Sequence, residues 1–132
     1  EGVLPSFYPP DFALPMVAPQ DIGVLAAQLM MEPDDGKAGK LYHLEGPQLY
    51  TPNEVAEAFS KELGISVHVV TIPEMKWTQT FKRFGFSDEA ANSYAAMTKA
   101  TLEDDHTKMT GQIRGQTTIE NYVRKMIAQT QQ

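Results

Sequence analysis

Five of the nine prolines fall within the first nineteen residues. Pro5, Pro9, Pro10, Pro15 and Pro19 forbid a continuous helix there, and each biases its predecessor toward extended backbone. Residues 1–18 therefore read as an extended, proline-rich opening segment, in which Ala13-Leu14-Pro15-Met16-Val17 has the makings of a short edge strand. The chain opens on Glu1 rather than Met, in an irregular stretch rich in aromatics. That start reads as the middle of something longer, and an artificial boundary explains Glu1 equally well.

From Pro19 onward the pattern is one of helices separated by short strands. Ile22, Leu25, Ala26, Leu29 and Met30 fall at i, i+3, i+4, i+7 and i+8, an apolar stripe with Asp21 in its first turn. Glu32-Pro33-Asp34-Asp35-Gly36 ends it, and Leu41-Tyr42-His43-Leu44 reads as a strand closed by Gly46-Pro47. Thr51-Pro52-Asn53-Glu54 is a capping box with proline at the first helical position. Val55, Ala56, Phe59 and Leu63 form that helix's apolar face, and Gly64 its stop. Ile65 to Ile72 is β-branched and alternating, hence a strand.

Pro73 opens a further helix with Met75, Trp77, Phe81 and Phe84 as its bulky groups, Phe81 and Phe84 being most simply core. Ser87-Asp88-Glu89 caps another, which runs to about Leu102, and Gly111 to Gly115 reads as loop. Thr117 to Glu120 is a second capping box, ahead of the stripe Ile119, Tyr122, Val123, Met126 and Ile127. The expectation is one helix-rich α/β (α+β-like) domain over residues 1–132, with about five helices and three short strands. Three short strands make no large sheet, so the helices or a partner must supply much of the core.

Composition excludes several functions. Eleven basic against seventeen acidic residues give a net charge of −6, which argues against nucleic acid, since no Lys/Arg stripe offsets the acid. No apolar run reaches the ~18 residues of a membrane span, and no signal pattern opens the chain. A soluble, cytoplasmic protein is expected. The absence of cysteine removes disulfides, thiolate catalysis and cysteine–zinc sites.

Candidate chemistry is sparse. His43 and His68 lie in predicted strands, and neither they nor His106 show metal-ligand spacing, so half-buried histidines without a metal are the default. Asp104-Asp105-His106 reads as a solvated helix end, because consecutive residues point apart and chelate poorly. There is no G-x-S-x-G elbow; Ser6, Ser60, Ser66, Ser87 and Ser93 fall in caps, helix surfaces or loops. Gly111-Gln112-Ile113-Arg114-Gly115 lacks the strand and spacing of a dinucleotide fingerprint. The expectation is no catalytic, metal or cofactor-binding residue. The aromatics Phe7, Tyr8 and Phe12 of the opening segment, with Trp77 and Phe84, are the candidate substrate-binding residues, lining an apolar pocket or meeting another subunit.

The stretch Val17-Ala18-Pro19-Gln20-Asp21-Ile22-Gly23-Val24-Leu25-Ala26-Ala27 resembles the V-x-x-x-DIG-x-x-AA segment of NmrA-like proteins, the atypical short-chain dehydrogenase/reductases. Tyr42-His43-Leu44-Glu45-Gly46-Pro47, then Tyr50-Thr51-Pro52-Asn53-Glu54-Val55-Ala56 and Leu63-Gly64, follow in a similar order, so the resemblance runs from about Pro9 to Val123. It implies the C-terminal, substrate-side half of such a protein. The family binds NAD(P) through an N-terminal Rossmann half whose glycine fingerprint is absent here, as is a Tyr-x-x-x-Lys pair. NAD(P) is then a cofactor only if a Rossmann half is supplied.

Three readings follow. The chain is the substrate domain of an NmrA-like oxidoreductase or redox sensor, non-catalytic alone; or a self-standing, homo-oligomeric small-molecule-binding or interaction domain; or, last, an enzyme with an unrelated site. The expected partners are a Rossmann domain or a second copy of the chain in a homodimer, the latter through an apolar patch centred on Phe7 to Val17, together with an apolar small molecule.

Overall fold

The computed structural model describes residues 1–33, 39–104, 111 and 113–130. In chain order these form β1 (Gly2–Ser6), α1 (Pro19–Met31), β2 (Leu44–Glu45), α2 (Pro52–Leu63) and β3 (Val67–Thr71). A 3-10 turn at Glu74–Lys76 leads into α3 (Trp77–Arg83), followed by α4 (Asp88–Glu103), β4 (Ile113–Arg114) and α5 (Ile119–Thr130). The fold is the expected helix-rich mixture of α and β. Its strands form two separate parallel pairs, β1 with β3 and β2 with β4.

Strand β1 is an addition to the sequence reading, which treats the opening as irregular. It pairs from Gly2 against Val67 to Ser6 against Thr71. Gly2 N donates to the Ser66 carbonyl, and Ile72 N donates to the Ser6 carbonyl. Residues 2, 4 and 6 thus face β3, and Pro5 turns its missing N–H to the outer edge. A proline is tolerated there because no ladder bond is lost. The edge strand expected over Ala13–Val17 contracts to one antiparallel bridge, Leu14 with Tyr50.

Other boundaries shift for local reasons. The strand expected at Leu41–Leu44 forms only at Leu44–Glu45, with Leu41 exposed. Its partner β4 lies where a loop was expected. The α2 capping box forms as read: Glu54 N donates to Thr51 Oγ1 at 3.2 Å and Thr51 N donates to Glu54 Oε2 at 2.7 Å. Gly64 closes the helix at φ 67°, a conformation that strains any side-chain-bearing residue. On α2 the small Ala56 and Ala58 are buried while Leu63 is exposed. At α5 the cap is Thr118, whose Oγ1 accepts from Asn121 N at 3.3 Å, one residue beyond the expected Thr117. Thr117 is engaged elsewhere.

The main core cluster is Trp77, Phe81 and Ala91, packed with Phe7, Ile72, Phe86, Ala95 and Leu102. It joins α3 and α4 to the end of β1. Phe7 stacks on Phe81 at 4.5 Å and meets Trp77 edge-on at 6.4 Å. The Trp77 indole N–H donates to the Ile72 carbonyl at 2.7 Å, satisfying its one polar atom. Phe84, read as core, is instead 62% exposed, because α3 ends at Arg83 before its stripe completes another turn. A second packed region joins α2 to α5 and β3, with buried Tyr50, Ala56 and Val123.

Helix α1 is the exception. Its predicted stripe exists, but no residue of the helix is buried, and Ile22, Val24, Met30 and Met31 are exposed. Replacing Trp77 by alanine should cost about 3–5 kcal/mol of unfolding free energy. Phe84→Ala should stay within about 0.5 kcal/mol. Urea denaturation of both variants checks the contrast.

Candidate functional site

The site is built where distant segments meet: the passage from the opening segment into α1, Tyr50 just before α2, and the start of α5. Ala18 caps α1 and is buried, with Pro19 at the first helical position. Tyr50, just before α2, is also buried, and its ring underlies the cleft. Two close approaches hold this arrangement. The Tyr50 backbone exchanges both its N–H and C=O with Leu14 at 2.9 Å. Gly46 passes so near the Met16 carbonyl that an added Cβ would lie 1.8 Å from its oxygen, so only glycine fits.

The junction itself is a carboxylate clasp. Asp21 accepts from Thr117 N at 2.9 Å and from Thr117 Oγ1 at 2.7 Å. These bonds, led by the Thr117 backbone N–H, hold the Asp21 carboxyl below its ordinary value, against the opposing effect of burial. Gly115 sits beside the clasp, where a Cβ would come within 2.5 Å of Asp21 Oδ2. Gly115 N in turn donates to the Glu45 carbonyl at 2.7 Å, at the end of the β2–β4 pair.

Two cavities share Thr117 and Tyr122 as walls. One, of about 200 Å³, is mostly apolar and lined by Met16, Val17, Ala18, Pro19, Tyr50, Thr118 and Ile119 as well. The other, of about 290 Å³, adds Gln20, Lys125, Met126 and Gln129. A third, of about 230 Å³, lies across the clasp between α1 and β4. The Tyr50 hydroxyl accepts from Ile119 N at 3.3 Å, and burial pushes its phenol pKa up. Among the described residues, no carboxylate or histidine lines either of these two adjoining cavities. This arrangement suits binding of an apolar molecule better than proton transfer, which needs a poised acid or base beside the reacting atoms.

The residues singled out from sequence do not converge on one site, although Phe7 and Trp77 meet. Phe7 and Trp77 are in the core cluster, Phe84 is on the surface, and Tyr8 and Phe12 stack on each other at 5.6 Å. None of the five lines the joined cavities. His43 and His68 are exposed rather than half-buried, and His68 Nε2 lies 3.1 Å from Ser66 Oγ. Asp104 ends α4, while Asp105 and His106 lie outside the described residues. Among the described residues no three acidic or histidine side chains converge as a metal site would require, and no helix is long and apolar enough to cross a membrane. Of the cleft residues, Thr117 signals only a helix cap and Tyr50 only the segment ahead of the α2 capping box, and Lys125 carries no local motif.

No family model matches the chain, and no curated protein sequence matches it. Among solved structures it is similar to the Citrobacter sp. triphenylmethane reductase, described for the bioremediation of triphenylmethane dyes. The TM-score is 0.69 at 17% identity, over 96% of this chain and 45% of that one. The likeness is one of fold, and the chain spans less than half the length of that reductase.

Asp21→Ala should lower stability at pH 7 by about 1–2 kcal/mol, the lower range for hydrogen bonds to a charged group because the site is half open to water. A carboxyl held below its ordinary 3.8 stabilises fully above that value and loses the effect as pH falls through the lower folded one. The gap between parent and variant should therefore close under acid, as denaturation at pH 7 and below pH 4 would reveal. A gap that persists in acid would refute the clasp.

Proposed function

We propose that the chain is the substrate-side portion of an NmrA-like, NAD(P)-dependent oxidoreductase or redox-sensor fold, and that alone it binds an apolar small molecule without catalysing its conversion. The carrying observation is that 96% of this chain matches 45% of a reductase. Its sequence resemblance to the substrate side of NmrA-like proteins points the same way. The nucleotide would be held by a Rossmann portion, in the same protein or another, since a pyrophosphate needs a glycine-rich turn opening onto a helix N-terminus. A soluble, cytoplasmic setting is part of this proposal.

The binding position we assign is the joined cleft at the start of α5. It combines an apolar wall with a few hydroxyls, the usual makeup of a small-molecule site. The neutral fluorophore N-phenyl-1-naphthylamine should bind the isolated chain. Tyr122→Ala, which removes a wall common to both cavities, should weaken it by about 1 kcal/mol, roughly fivefold. Tyr8→Ala and Phe84→Ala should leave it unchanged. Calorimetric titration with NADH and NADPH should give no binding heat; a micromolar Kd for either nucleotide would overturn the division of labour.

A second reading is favoured by α1. Met30 and Met31 are 81% and 86% exposed, and Ile22 and Val24 about half exposed, on a helix without a buried residue. Such a face on a free protein is usually covered. In the oxidoreductase reading the remainder of the fold covers it; in a self-standing domain a second copy does, most simply by two-fold pairing. Sedimentation at micromolar concentration should show a dimer that Met30→Glu dissociates. A monomer of 14.7 kDa would remove the homo-oligomeric reading.

A further inference from the structure

We infer that the joined cleft takes a ligand with an apolar aromatic body and an anionic end group, the anion pairing with Lys125. This rests on the reading of the cleft as a small-molecule site and adds its charge preference. The two cavities, about 200 and 290 Å³, are each small, since ligand pockets usually span ~300–1,000 Å³. They adjoin at Thr117 and Tyr122, which line both, so that an apolar side and a polar side lie next to each other. The apolar end is walled by Val17, Pro19 and Ile119. At the polar end Gln20 and Gln129 flank Lys125.

Among the described residues Lys125 is the only formally charged one lining either cavity, although the chain carries seventeen acids against eleven bases. Its placement answers no structural need on its own helix. The positions three and four residues away are Tyr122, Asn121, Ala128 and Gln129, so it has no helical acid partner. Lys82, Lys99, Arg114 and Arg124, by contrast, each pair with a carboxylate. The charge of Lys125 is felt by Asp21, but the Asp21 oxygens are taken up by Thr117. The other lining groups of that end are neutral, namely the Tyr122 hydroxyl, the two glutamine amides and Thr117, whose hydroxyl donates to Asp21, while Glu120 and Glu54 act on Tyr50 at the apolar side. An anionic group at the mouth would meet one cation and the donors of Tyr122, Gln20 and Gln129, and, among the described residues, no lining carboxylate.

Paired fluorescence titrations test this with one aromatic body in two charge states. The probes are N-phenyl-1-naphthylamine and its sulfonate, 8-anilinonaphthalene-1-sulfonate. The sulfonate should bind at least about threefold tighter despite the net negative chain, with an advantage that shrinks in high salt. Lys125→Gln should abolish that advantage, while Lys99→Gln, on α4, alters neither probe's affinity. If the neutral probe binds and is weakened by Tyr122→Ala, but the sulfonate gains nothing or its gain survives Lys125→Gln, the anion preference is overturned and the binding site stands. If neither probe binds, or Tyr122→Ala affects neither, the cleft itself is overturned as a site.

Discussion

The Asp21 carboxylate ties together two residues 96 positions apart. It sits in the first turn of α1, where an acid suits the exposed N–H groups of the helix end. The group it reaches is Thr117, immediately before the Thr118 cap of α5. One side chain thus places the starts of two helices side by side, and the cleft is the space between them. Closing so long a loop costs little more than closing one half as long, by about 0.6 kcal/mol per doubling. At about 1–2 kcal/mol together the two charge-assisted bonds exceed that increment, and the neighbouring β2–β4 pair and the Gly115 bond to Glu45 share the closure.

The rest of the molecule shows why such a tie matters. The fully buried side chains are mostly small, with Ala56, Ala58 and Ala91 prominent among them, and the large aromatic contribution is concentrated around Trp77 and Phe81. That cluster serves α3, α4 and the end of β1. It leaves α1 with no buried residue and α5 with one, Val123. Helices whose apolar faces are only partly covered depend on polar contacts at their ends for orientation. Asp21 with Thr117 and Tyr50 with Ile119 supply those contacts at the cleft.

Local signals were legible where the chemistry is local. The Thr51–Glu54 box, the Gly64 stop and the Ser87 cap each depend on residues within a few positions, and each forms as the sequence indicates. What was not legible depends on distant partners. A strand containing Pro5 is disfavoured by local rules, and only the registry with Val67–Thr71 shows that the proline faces outward. Thr117 and Thr118 are equivalent as caps on paper. Asp21, far upstream, takes Thr117 and leaves Thr118 to cap α5. Likewise Phe7, an aromatic in a proline-rich stretch, gives no hint that β1 delivers it onto Phe81.

The distribution of charge follows from the same division between helix ends and cleft. Acids occupy the first turns of α1, α2, α4 and α5, as Asp21, Glu54, Asp88 with Glu89, and Glu120. There they offset the positive end of each helix dipole, and two of them complete hydrogen-bonded junctions. Lys61, Lys82 and Arg83 lie in last turns, where the dipole favours cations. None of these residues lines the cleft, whose walls are a pre-helical apolar stretch, Tyr50 and one side of α5 that carries Lys125. A net charge of −6 is thereby compatible with a cleft free of lining carboxylates. Five of the seventeen acids sit in these first turns, and the local field at Lys125 is set by the few groups around it.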